Sequence, residues 1–190
     1  MTRTPTSTGV RVAPVVPADR SPEQRRLLES VRGDDAANVF ATLAAHPKLF
    51  EAWLPFCLYL LRCPDFSARH REMVILRTAW RCGAEYEWDH HVRFALRSGL
   101  SLDEIQALAE TSGFEWTGEE EALLDAVDEL HSQHTLSDET WARLAAFLNT
   151  EQLIALPMLV GQYTLLAGTL NALGVATDAN VVATGTNWTE

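Results

Sequence analysis

Apolar residues recur three and four positions apart along most of the chain, which is the spacing that gives a helix one buried face. Residues 67–82 illustrate the pattern, because Met73, Leu76 and Trp80 fall on one side of a helix. No stretch longer than three residues alternates convincingly between apolar and polar side chains, and residues 10–16 come nearest to doing so. The pattern therefore predicts an all-α fold of about eight helices with essentially no sheet.

Capping and breaking signals place the ends of these helices. Ser101 and Glu104 have the spacing of a capping box, in which two side chains satisfy free N–H groups of the first turn. Gly83 separates a predicted helix over residues 67–82 from a second over residues 84–98. Two further capping boxes are Ser21 with Gln24 and Thr117 with Glu120.

The length of 190 residues fits one medium-sized domain with a single hydrophobic core. Three prolines within residues 1–20 prevent an amphipathic targeting helix, so this segment is expected to form an extended N-terminal arm. We assign residues 21–176 to the helical domain. Residues 177–190, which are rich in Thr, Ala and Asn, are assigned to a C-terminal tail.

Acidic residues outnumber basic ones by 26 to 15, which gives a net charge of -11. This charge repels phosphate backbones and anionic headgroups, so neither nucleic acid nor a membrane is expected as a partner. The most apolar stretch, residues 153–175, is interrupted by a proline, glycines and polar side chains, which favours a buried helix over a bilayer span. Three cysteines, an odd number, indicate reduced thiols and a cytoplasmic location.

Seven acidic residues and no basic residue occur from Glu115 to Glu129. Three of them fall in the first turn of a predicted helix, where negative charge suits the positive end of the helix dipole. We interpret the run as a solvated helix face rather than as a metal or partner site.

Side chains capable of chemistry are densest on the helix pair around Gly83. Glu87 and His91 are four positions apart, so they are neighbours on one helix face. An antiparallel hairpin at Gly83 would bring Glu72 within one turn of the level of His91. Two carboxyl groups and an imidazole between packed helices can perform general acid–base chemistry, and these three residues are our catalytic candidates. The alternative is a solvated Glu–His pair, with Glu72 bound to an arginine of its own helix.

Four further residues close to this group are candidates for substrate contact: Cys82, Tyr86, Trp88 and Arg77. The rings of Tyr86 and Trp88 are also typical of a hydrophobic core or an interface. Arg77 is also typical of a surface ion pair. Cys82 is expected near a helix start, where the helix dipole would lower the pKa of its thiol. His90 points about 100° away from His91, so one of the two is expected to be structural. No metal is expected, because helical zinc sites usually contain more His or Cys ligands.

Three runs of the sequence are distinctive: NVFATLAAHP at residues 38–47, REMVILR at residues 71–77 and CGAEYEWDHH at residues 82–91. They resemble the carboxymuconolactone decarboxylase family, which includes the AhpD-like alkylhydroperoxidases. The likeness extends over roughly residues 25–176. It implies the AhpD-like helical fold and a homo-oligomer, a trimer or hexamer of hairpin pairs.

The peroxidase branch of that family pairs a Glu with a Cys-x-x-Cys motif and a His. Twelve, fifteen and nineteen residues after Glu72, where the two thiols and the His would stand, this chain has Ala84, Glu87 and His91. Both thiols are missing, whereas the acid and the imidazole match. Cys82 has no partner at Cys-x-x-Cys spacing, so the comparison disfavours a dithiol peroxidase.

The decarboxylase branch needs a proton donor and hydrogen-bond donors for developing negative charge, and it needs no redox group. The resemblance therefore implies a cofactor-free lyase or isomerase that acts on a small lactone or carbonyl acid. His91 would donate the proton, Glu87 would orient the imidazole or shuttle the proton, and Glu72 would fix the tautomer. Arg77 and Arg81 are candidates for holding a substrate carboxylate, with surface salt bridges as the alternative.

Two other functions remain open at this point. One is an alkylhydroperoxidase-like thiol peroxidase that uses Cys82 alone or with an outside thiol. The other is a non-enzymatic oligomeric binding module that keeps the group of polar residues for structural reasons.

Overall fold

The computed structural model describes residues 9–109, 113–179 and 181 of the chain. Within these residues it contains nine α-helices, two short 3-10 helices and no strand, which confirms the all-α prediction. The 3-10 helices are Pro17–Asp19 and Gly33–Asp35. The α-helices are α1 (Pro22–Glu29), α2 (Asn38–Leu43), α3 (Pro47–Arg62), α4 (Ala68–Cys82), α5 (Glu85–Arg97), α6 (Leu102–Ala107), α7 (Gly118–Gln133), α8 (Asp138–Ala145) and α9 (Thr150–Leu173).

Local sequence signals set the helix ends. Gly83 follows α4 in the left-handed conformation, with φ 63°, which a glycine adopts without strain. The backbone N–H of Ala84 then donates to the carbonyl of Ala79 at 2.9 Å, so the chain turns tightly before α5. All three predicted capping boxes are formed: Ser21 with Gln24 at α1, Ser101 with Glu104 at α6, and Thr117 with Glu120 at α7.

The chain divides into two compact units. The first consists of the described parts of residues 1–62 and 169–182, and its core joins Leu28 of α1 to Phe50 and Leu54 of α3. The predicted arm (1–20) and tail (177–190) lie partly outside the described residues. The proposed domain boundaries therefore stay a prediction.

Within the first unit, the C-terminal end of α9 is capped by backbone groups of Arg11 and Val12. The backbone N–H groups of Arg11 and Val12 donate to the carbonyl of Leu173 at 2.9 and 3.1 Å. Gly174 then turns the chain with φ 64°, and a Cβ atom there would lie 2.3 Å from the carbonyl oxygen of Gly9. Only glycine fits at that position.

The described part of the second unit is residues 63–109 and 113–168, and α4 is its central helix because it packs against both α5 and α7. Every residue of α4 from Glu72 to Ala79 is buried. The core of this unit joins Met73 and Leu76 of α4 to Trp88 of α5. The candidate catalytic residues therefore lie on the two most enclosed helices of the unit.

The acidic run is solvated only in part, because Glu115, Glu119 and Glu121 are exposed whereas Glu120 is buried and Asp128 is half-buried. Glu120 is 6% exposed, and one of its carboxyl oxygens accepts a hydrogen bond from Arg69 Nε at 2.8 Å. Asp128 accepts hydrogen bonds from two arginines of α4. The prediction missed Glu120 and Asp128 because their arginine partners come from another helix, which a window of sequence does not show.

Arg69 binds two acids of other helices, Glu104 and Glu120. Its hydrogen bond lowers the pKa of Glu104 to about 2, below the ordinary value of 4.5 for a glutamate. A lowered folded-state pKa stabilises the fold above the unfolded value, and this contribution is lost as the pH falls through the folded value.

We therefore expect Arg69→Met to reduce the free energy of unfolding by about 2 kcal/mol at neutral pH. The difference from wild type should shrink as the pH falls from 4.5 towards 2. Urea unfolding at a series of pH values measures it, with R97M, at an exposed arginine, as the control. A difference that does not change across that range would show that Arg69 contributes packing rather than charge.

α9 is apolar on nearly all sides. Among the described residues it is the one helix long and apolar enough to cross a membrane, with a mean hydropathy of 1.6 over its best window. Half of that window is buried inside the structure. Core helices of soluble proteins have the same combination, so length and hydropathy alone are weak evidence for a membrane span.

Candidate active site

The hairpin of α4 and α5 brings Glu72 and His91 together. Oε2 of Glu72 lies 2.7 Å from Nδ1 of His91, and both side chains are buried. This hydrogen bond confirms the proximity that the residue count around Gly83 predicted. The catalytic role of the pair stays a prediction.

The remaining contacts of the pair fix its orientation. The other oxygen of Glu72 accepts a hydrogen bond from Nε of Arg71 at 3.1 Å. The imidazole lies edge-on to the ring of Tyr163, with centroids 5.2 Å apart, and is 5.5 Å from the ring of Phe94. An ionised Glu72 can only accept, so Nδ1 of His91 then carries the proton and Nε2 is left as the basic nitrogen.

The carboxyl group of Glu87 is buried, and no hydrogen bond from the described residues offsets its loss of contact with water. Its side chain is 2% exposed, and neither carboxyl oxygen has a hydrogen-bond partner among the described residues. Burial raises the pKa of this carboxyl well above the ordinary value of 4.5 for a glutamate. The group lies one helical turn before His91, so this buried carboxyl group and an imidazole share one face of α5.

Cys82 is the last residue of α4 rather than the first residue of a helix, so the expected helix-dipole effect on its thiol was wrong in sign. Its Sγ lies 3.7 Å from Nδ1 of His131, and it also hydrogen-bonds the side chain of Thr164. Burial raises the pKa of the Cys82 thiol, the hydrogen bond with Thr164 opposes the rise, and Glu87 adds to it. The thiol form is therefore favoured at neutral pH.

The two aromatic candidates for substrate contact are packed into the protein. Trp88 is fully buried in the core of the second unit, and its ring centroid is 5.7 Å from that of Trp80. The Tyr86 ring stacks on His90 at 4.0 Å, and Nδ1 of His90 lies 2.7 Å from the Tyr86 carbonyl oxygen. His90 therefore bonds within its own helix rather than to Glu72. Contact of either aromatic residue with substrate stays a prediction.

The arginine candidates are engaged by an acid of α7. Arg77 is bidentate to Asp128, at 2.9 and 2.7 Å, and also donates to the carbonyl of Leu108. Arg81 binds the same carboxylate. Both guanidinium groups therefore join α4 to α7 through salt bridges, which is the use that the sequence analysis gave as the alternative to substrate binding. A role in holding substrate carboxylates stays a prediction for Arg77.

No group of three or more His, Cys, Asp or Glu side chains that could hold a metal ion occurs in the part of the chain that the structure describes. A depression of about 440 Å³ in the second unit is lined by Leu130, Trp141, Pro157 and their neighbours. None of the candidate catalytic residues lines it.

A comparison with protein families decides what kind of protein this is. Residues 47–129 match the model of the carboxymuconolactone decarboxylase family. This part of the chain, 83 of its 190 residues, belongs to that family. A search of the curated proteins found no match.

Solved structures place the chain with AhpD-like members of this fold. An uncharacterised peroxidase-related protein from Ralstonia eutropha JMP134, described as an alkylhydroperoxidase AhpD core, has a TM-score of 0.77 at 17% identity. The match covers 93% of this chain and 95% of that protein. A protein of unknown function from Agrobacterium tumefaciens has a TM-score of 0.67 at 20% identity, over 73% of this chain and 96% of its own.

The debrominase Bmp8, crystallised with 2,3,4-tribromopyrrole, is a third structural neighbour. Its TM-score is 0.70 at 20% identity, and the match covers 91% of this chain and 94% of the debrominase. At these identities the likeness shows the helical fold and does not transfer an activity. Within the family, this chain has the buried Ala84 and Glu87 where the peroxidase branch would have its two thiols.

Proposed function

We propose that this family member is an enzyme that performs cofactor-free acid–base chemistry on a small lactone or carbonyl acid, by decarboxylation or isomerisation. The observation that carries the proposal is the buried carboxyl group of Glu87, without a hydrogen-bond partner, one turn from an imidazole that Glu72 orients. An isolated buried carboxyl is costly to a fold, so its presence is typical of a functional site.

Each residue has a distinct part in the proposed reaction. In a decarboxylation the C–C bond to the carboxylate breaks, carbon dioxide leaves, and the electron pair moves into the conjugated carbonyl as an enolate. The protonated Glu87 donates a hydrogen bond to the enolate oxygen, as a neutral acid can in an apolar site. His91 then delivers a proton to carbon, and Glu72 stabilises the imidazolium that precedes this step.

An isomerisation uses the same groups in a different order. Neutral His91 removes a proton from the carbon next to the carbonyl through Nε2, and Glu87 stabilises the enolate oxygen as before. The imidazolium returns the proton at a second carbon. Both schemes require a neutral Glu87, which its raised pKa supports.

Solvent-deuterium incorporation into a panel of β-keto acids and enol lactones tests this proposal. We expect wild type to label or decarboxylate at least one compound and Glu87→Leu, which has no hydrogen-bond donor, to lose about 100-fold in kcat. Glu85→Leu, at an exposed glutamate two residues earlier on α5, is the matched control and should match wild type. Wild-type activity in Glu87→Leu would contradict the assigned role.

A thiol peroxidase is the second candidate, and the contact between Cys82 and His131 is the observation that favours it. The raised pKa of the thiol argues against it, because the thiolate is the reactive species. We therefore expect Cys82→Ser to consume hydroperoxide at the wild-type rate, with Cys57→Ser, at a buried cysteine, as the control. A selective loss in Cys82→Ser would establish the peroxidase and displace the acid–base proposal.

A further inference from the structure

The depression of the second unit has no part in the acid–base reaction proposed above. Its volume of about 440 Å³ is within the range of small-molecule sites in proteins. It is lined by residues of α7, of the loop between α7 and α8, of α8 and of α9: Leu130, Thr135, Leu136, Asp138, Trp141 and Pro157. We call it the α8 depression.

The loop that forms one wall of the α8 depression is held in place by Glu129. One carboxyl oxygen of Glu129 accepts a hydrogen bond from the backbone N–H of Ser137 at 2.7 Å. The other accepts hydrogen bonds from the hydroxyl groups of Ser137, at 2.9 Å, and Thr140, at 2.7 Å. This wall is therefore formed before any ligand arrives, which lowers the entropy cost of binding.

The α8 depression contains a negative charge that the protein does not neutralise. Asp138 is exposed and forms no ion pair with a described residue, and none of the lining residues is basic. The basic residue of α8, Arg143, is bound instead to Asp125 and Glu121 of α7. The dipole of α8 stabilises the carboxylate of Asp138 but supplies only about half a positive charge. A cationic ligand would complete the neutralisation.

Pro157 adds a second acceptor of hydrogen bonds at the edge of the α8 depression. Its ring nitrogen carries no hydrogen, so the carbonyl of Leu153, one turn earlier in α9, lacks its usual helical hydrogen bond. In a helix this carbonyl lies against the proline ring, and that ring lines the depression. An ammonium group has three donors and no acceptor, so it can bind a carboxylate and a carbonyl together.

Trp141 offers a face for a positive charge and for an apolar body. It is 49% exposed and lies three residues after Asp138, so the two side chains are neighbours on one face of α8. A cation over an indole ring is attracted by the electrons of the ring. Leu130 and Leu136 extend the apolar surface. The net charge of -11 raises the concentration of cations near the protein.

We propose that the α8 depression binds a small organic cation, a primary amine attached to an aromatic or aliphatic body. The ammonium group binds the carboxylate of Asp138 and the carbonyl of Leu153. The apolar body lies against Trp141, Leu130 and Leu136. This site does not depend on the acid–base reaction proposed for Glu87 and His91.

Fluorine NMR of a ring-fluorinated phenethylamine tests the site, with the corresponding phenethyl alcohol as the neutral probe. Wild type should bind the amine with a dissociation constant on the order of a millimolar, and at least about fivefold more tightly than the alcohol. Asp138→Asn should weaken binding of the amine about fivefold and leave binding of the alcohol unchanged. Glu139→Gln removes the same charge at an exposed acid that does not line the depression, so it is the matched control and should bind as wild type does.

Trp141→Leu separates the indole ring from the apolar wall, because leucine keeps the wall apolar. This variant should bind the amine roughly fivefold more weakly and should change the affinity for the alcohol by less than about twofold. Equal binding of the amine and the alcohol by wild type, or equal effects of Asp138→Asn and Glu139→Gln, would overturn the proposal. So would binding of the amine that Trp141→Leu leaves intact. None of these variants changes Glu87 or His91, so such a result would leave the acid–base proposal standing.

Discussion

We expect the His91→Ala variant to turn over an identified substrate about 1,000-fold more slowly than wild type, because the proposed mechanism loses its proton carrier. Removing the ring also leaves Glu72 buried without its partner, so some loss of stability accompanies the change. His91→Gln fills more of the space and should show the same loss of kcat with a smaller change in unfolding temperature. Steady-state kinetics together with circular dichroism separate the two effects.

His90→Ala is the matched control for this prediction. His90 is adjacent in the chain and buried, but it bonds Tyr86 rather than Glu72. The His90→Ala variant should be less stable than wild type but should turn over substrate at the wild-type rate. Glu72→Gln should lose less than His91→Ala, and the double variant should be no worse than His91→Ala alone, because Glu72 acts through the imidazole. Activity of His91→Ala within a few-fold of wild type would remove the residue from the mechanism.

The second large effect concerns the dependence of stability on pH. The folded chain keeps the proton of Glu87 above the pH at which the unfolded chain releases it, since burial raises the pKa of the folded-state carboxyl above 4.5. Unfolding then releases a proton, so the free energy of unfolding falls as the pH rises through this window. One proton corresponds to a loss of up to about 1.4 kcal/mol per pH unit.

Glu87→Leu should remove this slope, and its stability relative to wild type should increase steadily as the pH rises above 4.5. Urea unfolding of both proteins at intervals of pH gives the two slopes. Glu85→Leu, at the exposed glutamate of the same helix, should keep the wild-type slope. If the free energy of unfolding depends on pH in the same way in wild type and in Glu87→Leu, the carboxyl of Glu87 has a polar partner or contacts solvent. The proposal that Glu87 acts as a neutral acid would then fail.

Most of the local structure could be predicted because it depends on neighbours in the sequence. The capping boxes at α1, α6 and α7 each join residues three apart, and Gly83 turns the chain through its own backbone freedom. The pairing of Glu72 with His91 followed from the same logic, since a tight turn fixes which residues of two helices face each other. The count around Gly83 was enough to find it.

Residues brought in by helices remote in the sequence could not be predicted. Tyr163 and Thr164 of α9 contact His91 and Cys82, and the one sequence signal for them was the presence of polar groups in an otherwise apolar helix. Arg77 was a candidate for substrate contact because nothing in the sequence reveals that it binds Asp128, fifty-one residues later. The buried state of Glu87 was likewise set by packing.

The sequence by itself determined the helices, the turn at Gly83 and the family motif, because each depends on residues only a few positions apart. Tertiary structure decided which acids are neutralised, which carboxyl is left without a partner and which face of α9 remains uncovered. Burial and ion pairing depend on distances between helices, and those distances arise from the summed packing of the whole core. The chemistry proposed for Glu87 belongs to this second group, since enclosure by the fold is what raises the pKa of its carboxyl above the usual range.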